Sequence, residues 1–457
     1  MKVDLNQIGV KHFLDKVDCK SQYGKLALKN LKQLNNTDIL AKQKLLLEVI
    51  NLDMEIKNNA RNILSNIKNI TLILKTIKNK TSVDIVDLHE VKTQAMHVKQ
   101  LEKLFDQKMF DFNDIDEIIK ILDPNNENKY SFRLYECYDS ELAQIVKQKR
   151  EIEHRYYNSD VEMKESIMQE RDKIVLAEKI RMEVVIQKIV NSLAIHIDKM
   201  IHNCEILTEC DLMIAKSIVY VNYQYCISEF ADSFDIKKSF FPLVSDEVNN
   251  YTPLSIKLER GSTLVVGANM GGKSTILKNL AFNTYLVNYG FLPLAEKFVM
   301  PKINNIIFMQ SFEDTAHGLS RFGSEIKMLN KALDSLDEQT LFLIDEFASS
   351  TNPSEGYLFV KSLINYCSNI KSYTVLTSHY DNLSKECETY VVCGINEDNL
   401  DSNLNLSDLM NYEIEKTIDN AIPKQAMIVA KYMDVNNEYL NILKNNYKKE
   451  EQNEVKD

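Results

Sequence analysis

The chain has 457 residues, 44% of them hydrophobic and 26% charged, with a net charge of −11. That length admits roughly two to four domains and a sizeable core, and the composition excludes a disordered chain or a disulfide scaffold. No apolar run reaches the length of a membrane span, and the start, Met1-Lys-Val-Asp-Leu-Asn6, lacks a signal-type apolar segment, so the expectation is a cytoplasmic protein with no membrane contact. The eight cysteines form no CxxC pair and read as reduced structural thiols, and the acidic balance does not advertise nucleic acid.

Glycine divides the sequence in two. Residues 1–260 contain only Gly9 and Gly24, and Pro124 is the sole proline between Ser21 and Phe241. A stretch so poor in breakers predicts long helices, with a loop at Pro124-Asn-Asn-Glu-Asn128. Val185, Ile189, Leu193, Ile197 and Ile201 recur every four residues, with Met182, Ile186 and Val190 beside them, as on one wide apolar helix face. Residues 147–200 mix 11 Lys/Arg with 10 Asp/Glu, which reads as a solvated helical arm.

After about Phe240 short apolar runs appear at 263–266, 306–309, 341–344 and 374–376, separated by helical stretches. This alternation predicts an α/β domain with a largely parallel sheet, over about 241–440. It follows a helical region over 1–240 and precedes a charged tail, 441–457, expected to fray from Lys444 onward.

Gly267-Ala268-Asn269-Met270-Gly271-Gly272-Lys273-Ser274 fits G-x-x-x-x-G-K-[ST], between an apolar strand and a helix opening at Thr275. Glycines let backbone N–H groups surround phosphate oxygens, and the helix N-terminus adds positive potential. Lys273 is expected to reach the β- and γ-phosphates of ATP, and Ser274 to ligate Mg²⁺. Roughly 70 residues later, the strand Leu341–Ile344 ends in Asp345-Glu346. Successive strand side chains point to opposite sides, so Asp345 is expected in the Mg²⁺ shell and Glu346 on the attacking water as general base. His379, at the end of the next strand in Thr377-Ser-His379, is a candidate for the γ-phosphate.

These motifs resemble the MutS family, a branch of the ABC-type ATPases. Gly267–Thr275 is similar to that family's GPNMGGKST, with Ala268 for the usual proline. Asp314-Thr-Ala-His-Gly318-Leu-Ser320-Arg-Phe322-Gly-Ser-Glu325-Ile326 resembles its second motif. There a serine reaches the nucleotide of the opposing subunit, and Ser320 is the matching position. Thr377-Ser-His379-Tyr380 with Leu383 is similar to its T-H-Y-x-x-L segment, and the four motifs span about 115 residues in family order. The resemblance implies an ATPase that dimerises through its ATPase domains, and an aromatic stacking on adenine, for which Tyr251 is the candidate. It also extends backward. Asp4-Leu-Asn-Gln-Ile-Gly9 with Ser21–Lys25 resembles the start of the family's helical lever, and Cys210–Lys216 its return helix, with the arm inserted at about 140–200.

The departures from the family pattern are informative. The chain resembles a short form without the mismatch-reading and connector domains. Where the family reads DEIGRGTS, the sequence is Asp345-Glu-Phe-Ala348-Ser-Ser350-Thr351, so a bend demanding positive φ there would be strained. Two client classes follow. Family relatives act on DNA, and a lever-and-arm dimer could grip a duplex by its phosphates. Alternatively, the Thr351-Asn-Pro-Ser-Glu-Gly356 wording resembles the reactivating factors of cobalamin-dependent aminomutases, whose client is a protein. The third reading, a degenerate scaffold, is opposed by the intact Lys273, Asp345, Glu346 and His379.

Overall fold

A computed structural model describes residues 3–105, 109–248, 250–267, 271–310, 321–380, 383–395, 410–417, 428–430 and 435–454. The chain forms two compact units. One holds residues 1–17, 32–46 and 219–457, and the other 18–31 and 47–218. None of the described helices is long and apolar enough to cross a membrane. All eight cysteines are free thiols.

The second unit is helical among its described residues, as the lack of breakers predicts. The helices Gln22–Lys29, Met54–Ser65, Thr71–Lys78, Ile85–Leu104 and Asp116–Leu122 lead into the arm. The arm is an antiparallel hairpin of Ser140–Tyr157 and Val161–Leu193, after which the chain returns along Ile197–Val219. The periodic apolar face is therefore interrupted: Val185, Ile189 and Leu193 are buried on one helix and Ile197 on the next, across a turn at 194–196. Asp211 on the return helix accepts from the Ser21 amide and hydroxyl, each at 2.7 Å, and from the Lys20 amide at 3.0 Å. Gly24 is required there, because a Cβ would stand 2.2 Å from the Asp211 carboxylate. At the base of the arm, Asp139 caps the first arm helix through the Leu142 amide at 3.0 Å. It also accepts a two-pronged bond from Arg181, at 2.8 and 2.7 Å, and one from Lys188 at 2.9 Å.

The first unit carries two sheets. Strands β1 (Glu229–Phe230), β2 (Phe234–Ser239), β3 (Leu254–Leu258) and β5 (Lys297–Met300) form a small sheet in the order β1-β5-β2-β3. Strands β4 (Gly261–Val266), β6 (Asn305–Gln310), β7 (Thr340–Asp345), β8 (Tyr373–Thr377), β9 (Glu388–Ile395) and β10 (Met410–Thr417) form the large sheet, in the order β10-β9-β4-β8-β7-β6. All its pairings are parallel except β9 with β10. β4, β7 and β8 are fully buried along their lengths, which is why they read as continuous apolar runs without alternation. The helices Lys273–Asn288, Arg321–Leu333 and Pro353–Ile370 connect its parallel strands. One core joins Val266, Ile307, Leu329, Phe342, Ile364 and Leu376.

The division expected near residue 240 follows composition, whereas the compact units cut elsewhere. Residues 1–17 pack with the sheets: Phe13 lies edge-on to Phe282 and Phe291, with ring centroids 5.6 and 6.2 Å apart. Gln43 donates to the Phe291 carbonyl and accepts from the Ser228 amide and hydroxyl. Within the tail, residues 441–454 lie in the helix Asn437–Glu454. Its run of Lys, Glu, Asn and Gln contains good helix formers and no breaker.

Candidate functional site

β4 is the strand on which the large sheet turns, with β8 on one side and β9 on the other. Ligands of open parallel sheets sit beyond the carboxyl ends of the strands at such a point. There Gly267 adopts φ 149° and Gly272 φ 77°. A Cβ on Gly267 would lie 2.9 Å from Val392, and one on Gly272 would lie 3.2 Å from the Tyr412 ring, so both close approaches need glycine. Gly272 is the N-cap of the helix Lys273–Asn288, and no described side chain caps it. First-turn amides at such an end suit an anion. Ala268, Asn269, Met270 and Ser320 lie outside the described residues. Gly271, Ser274 and Thr275 are at the same turn and helix start.

Lys273 is 5% exposed and donates to the Gly267 carbonyl at 3.0 Å. Its ammonium is 4.0 Å from Glu346 Oε1. Burial pushes its pKa below the ordinary lysine value, and the carboxylates of Glu346 and Asp345 oppose that shift. A buried ammonium among backbone carbonyl and carboxylates suits a polyanion that brings its own compensating charge.

Asp345 ends β7 and is 6% exposed; its Oδ1 accepts from the Thr377 hydroxyl at 2.8 Å. The same hydroxyl accepts from the Glu346 amide at 3.0 Å. Thr377 therefore ties the ends of β7 and β8 together. The two carboxylates are separated by a turn and not by strand alternation, because Glu346 already has φ 52°. Glu346 Oε1 lies 2.6 Å from His379 Nε2. His379 thus partners the proposed base, and with an ionised carboxylate its ring N–H donates. The residues expected to ligate a cation, Ser274 and Asp345, would offer it hard oxygens, a hydroxyl and a carboxylate. Among the described residues no group of three or more His, Cys, Asp or Glu could hold a metal. That sparse set fits Mg²⁺, which keeps phosphate and water ligands, and does not fit a metal caged by protein alone.

The Ala348 bend does carry positive φ, 60°, on a residue with a Cβ. Contacts from Glu325 and Tyr380 hold it. Glu325 Oε2 accepts from the Ala348 amide at 3.0 Å, Glu325 Oε1 from the Ser350 hydroxyl at 3.3 Å, and the Ala348 carbonyl from the Tyr380 hydroxyl at 2.6 Å. Gly356 makes room for that hydroxyl, since a Cβ there would lie 1.9 Å from it. In the sequence, Glu325, Tyr380 and Gly356 stand only as letters of the motifs. The signal for Glu325 was an acid on the same helical face as Phe322, Ile326, Leu329 and Leu333.

Tyr251 stands apart from these groups. Its ring stacks on Phe240 with centroids 5.8 Å apart, and Asn279 on the phosphate-loop helix donates to its hydroxyl at 3.2 Å. Burial pushes its phenol up to about 12.

Residues 263–445 match the family described as MutS domain V. The chain is 27% identical over 217 residues to the Endonuclease MutS2 of Brevibacillus brevis, across 46% of this chain and 27% of that protein. It is 26% identical over 235 residues to the Endonuclease MutS2 of Agathobacter rectalis, across 50% of this chain and 28% of that one. It is 28% identical over 180 residues to the DNA mismatch repair protein MutS of Thermus aquaticus, across 39% of this chain and 22% of that protein. The chain thus matches about a quarter of the length of these relatives. The glycine cradle, Lys273, the Asp345–Glu346 pair and the match to MutS domain V fall on the same stretch of sheet, so it is in this region that the chain is similar to the MutS family.

Proposed function

We propose that the chain binds Mg-ATP at Gly267–Thr275 and hydrolyses it. The observation that carries this reading is the convergence of Lys273, Asp345, Glu346 and His379 at the carboxyl ends of β4, β7 and β8. Lys273 and the loop amides hold the phosphates. Ser274 and Asp345 hold Mg²⁺, which neutralises charge developing on the γ-phosphate. Glu346 takes the proton of the attacking water, and His379 fixes its carboxylate. Tyr251 is proposed to stack on adenine, and Ser320 to serve the nucleotide of a second copy. The test is steady-state turnover of Mg-ATP with Glu346→Gln as control. The variant is expected to bind ATP with unchanged affinity and lose at least about 100-fold in kcat. Wild-type turnover in Glu346→Gln would remove Glu346 as the base.

For the client, the relatives' names point to DNA, and we propose a duplex or branched DNA gripped through its phosphates by a homodimer. A specific observation favours a second reading. Four of the arm's cations are engaged within the hairpin or at its base: Lys149 with Glu178, Arg155 with Glu170, Arg171 with Glu153, and Arg181 with Asp139 and Glu141. An arm whose positive and negative charges are nearly balanced and partly paired with each other has no net attraction for phosphates, which suits a protein client such as a cobalamin-dependent aminomutase. Binding to a short duplex titrated with salt separates the two. A DNA grip weakens steeply as salt rises, whereas absence of binding at low salt leaves the protein client.

A further inference from the structure

We propose that Glu325 is a positioning residue for hydrolysis: its buried carboxylate holds the Ala348 turn in its left-handed conformation, and that turn aims Glu346. The inference rests on the ATP-hydrolysing reading above and adds a residue that this reading does not use. Glu325 lies on the helix Arg321–Leu333, which joins β6 to β7, and is 3% exposed. An acid buried on an apolar helix face is costly unless its oxygens find donors. Those donors are in the turn. One oxygen takes the Ala348 amide at 3.0 Å and the other the Ser350 hydroxyl at 3.3 Å.

The turn needs an anchor. Glu346 has φ 52° and Ala348 φ 60°, so two of three consecutive residues with side chains are left-handed. Such a conformation persists only where its surroundings over-determine it. Tyr380 grips the Ala348 carbonyl, and its chain neighbour His379 grips the Glu346 carboxylate, so the two ends of the turn are closed by adjacent residues beyond β8. Glu325 adds the hold from a third element, on the amide of the same left-handed residue. Without it, Ala348 can relax toward the right-handed region, and the rotation is passed two residues back to Glu346. Lys273 is held by the Gly267 carbonyl, outside the turn, so ATP affinity is expected to hold.

The experiment compares Glu325→Ala and Glu325→Gln, each with and without Ala348→Gly, by ATP turnover, by ATP affinity, and by hydrogen exchange of residues 346–350 in nucleotide-free protein. Glu325→Ala is expected to lower kcat roughly 10- to 100-fold, the scale on which residues supporting a reacting group act, with ATP affinity within about twofold. Exchange at 346–350 rises. Glu325→Gln, which keeps one acceptor and the side-chain volume, retains most of the turnover. Ala348→Gly in the Glu325→Ala background restores most of the lost kcat, because glycine adopts the left-handed turn unaided. A loss of kcat and ATP affinity together, without rescue by glycine, overturns the proposal, as does wild-type turnover in Glu325→Ala. Absence of turnover in the wild type sinks the hydrolytic reading instead. The exchange comparison then decides whether Glu325 holds the turn, and unchanged exchange overturns that as well.

Discussion

Lys273 keeps its ammonium almost out of water, with burial lowering its pKa and Glu346 and Asp345 only partly compensating. Its folded pKa lies below the unfolded value, so the charged form destabilises the nucleotide-free fold at neutral pH. That cost is relieved as pH rises through the lowered pKa towards the ordinary lysine value, where the unfolded chain binds more protons. Lys273→Met is therefore expected to abolish ATP binding and to raise the nucleotide-free melting temperature, by on the order of 1 kcal/mol of stability. Calorimetry with an ATP titration checks both, and a variant that melts lower than wild type contradicts the burial argument. Tyr251 allows a similar separation. Tyr251→Phe keeps the ring that stacking needs and drops the bond from Asn279, whereas Tyr251→Ala loses both. Stacking is worth about 1 kcal/mol, so ATP affinity is expected to fall roughly fivefold in the alanine variant and to hold in the phenylalanine variant. Equal ATP affinity in wild type and Tyr251→Ala disposes of the adenine role.

Single elements here are held by polar anchors at their ends. Asp139 begins the first arm helix, and the second arm helix reaches it through Arg181 and Lys188. Arg181 foremost, then Lys188 and the Leu142 amide, hold its carboxyl well below the usual carboxylate range. A lowered folded pKa means that the stabilisation is present above the ordinary aspartate value and is lost as pH falls through the folded one. Asp139→Ala is expected to lower the melting temperature by a few degrees at neutral pH, with the gap to wild type closing in acid. A gap independent of pH would contradict the charge-linked account, because the Arg181, Lys188 and Leu142 contacts all favour the ionised carboxylate. The loop after Asp345 shows the same logic with backbone strain. The glycine-poor wording Ala348-Ser349-Ser350 signalled a difficulty if positive φ were needed, and Ala348 does take it. The cure, Glu325 with Tyr380 lodged against Gly356, lies 23 and 32 residues from Ala348 along the chain, so no local pattern could announce it.

At the scale of the whole molecule, the proposed dimer makes hydrolysis depend on association, because Ser320 would complete the partner's site. Specific ATPase activity is then expected to rise with protein concentration. Mixing Ser320→Ala with Lys273→Ala is expected to recover part of the activity, since each mixed dimer has one site free of both defects. Light scattering that finds a monomer at saturating ATP in the Glu346→Gln background would end this model. The sequence by itself determined the helical first half, the parallel sheet and the nucleotide motifs. Each rests on short-range physics: breaker-poor stretches, buried strands that read as unbroken apolar runs, and glycines needed within a few residues of the lysine they serve. Only the tertiary structure decided that residues 1–17 and 32–46 pack with the sheets, through Phe13 and Gln43. It alone paired Glu346 with His379, tied Asp345 to Thr377 and brought Glu325 to the Ala348 turn. Those contacts join residues far apart in the chain, and their partners are selected by packing and by the need of buried polar groups for hydrogen bonds, neither of which leaves a period in the sequence.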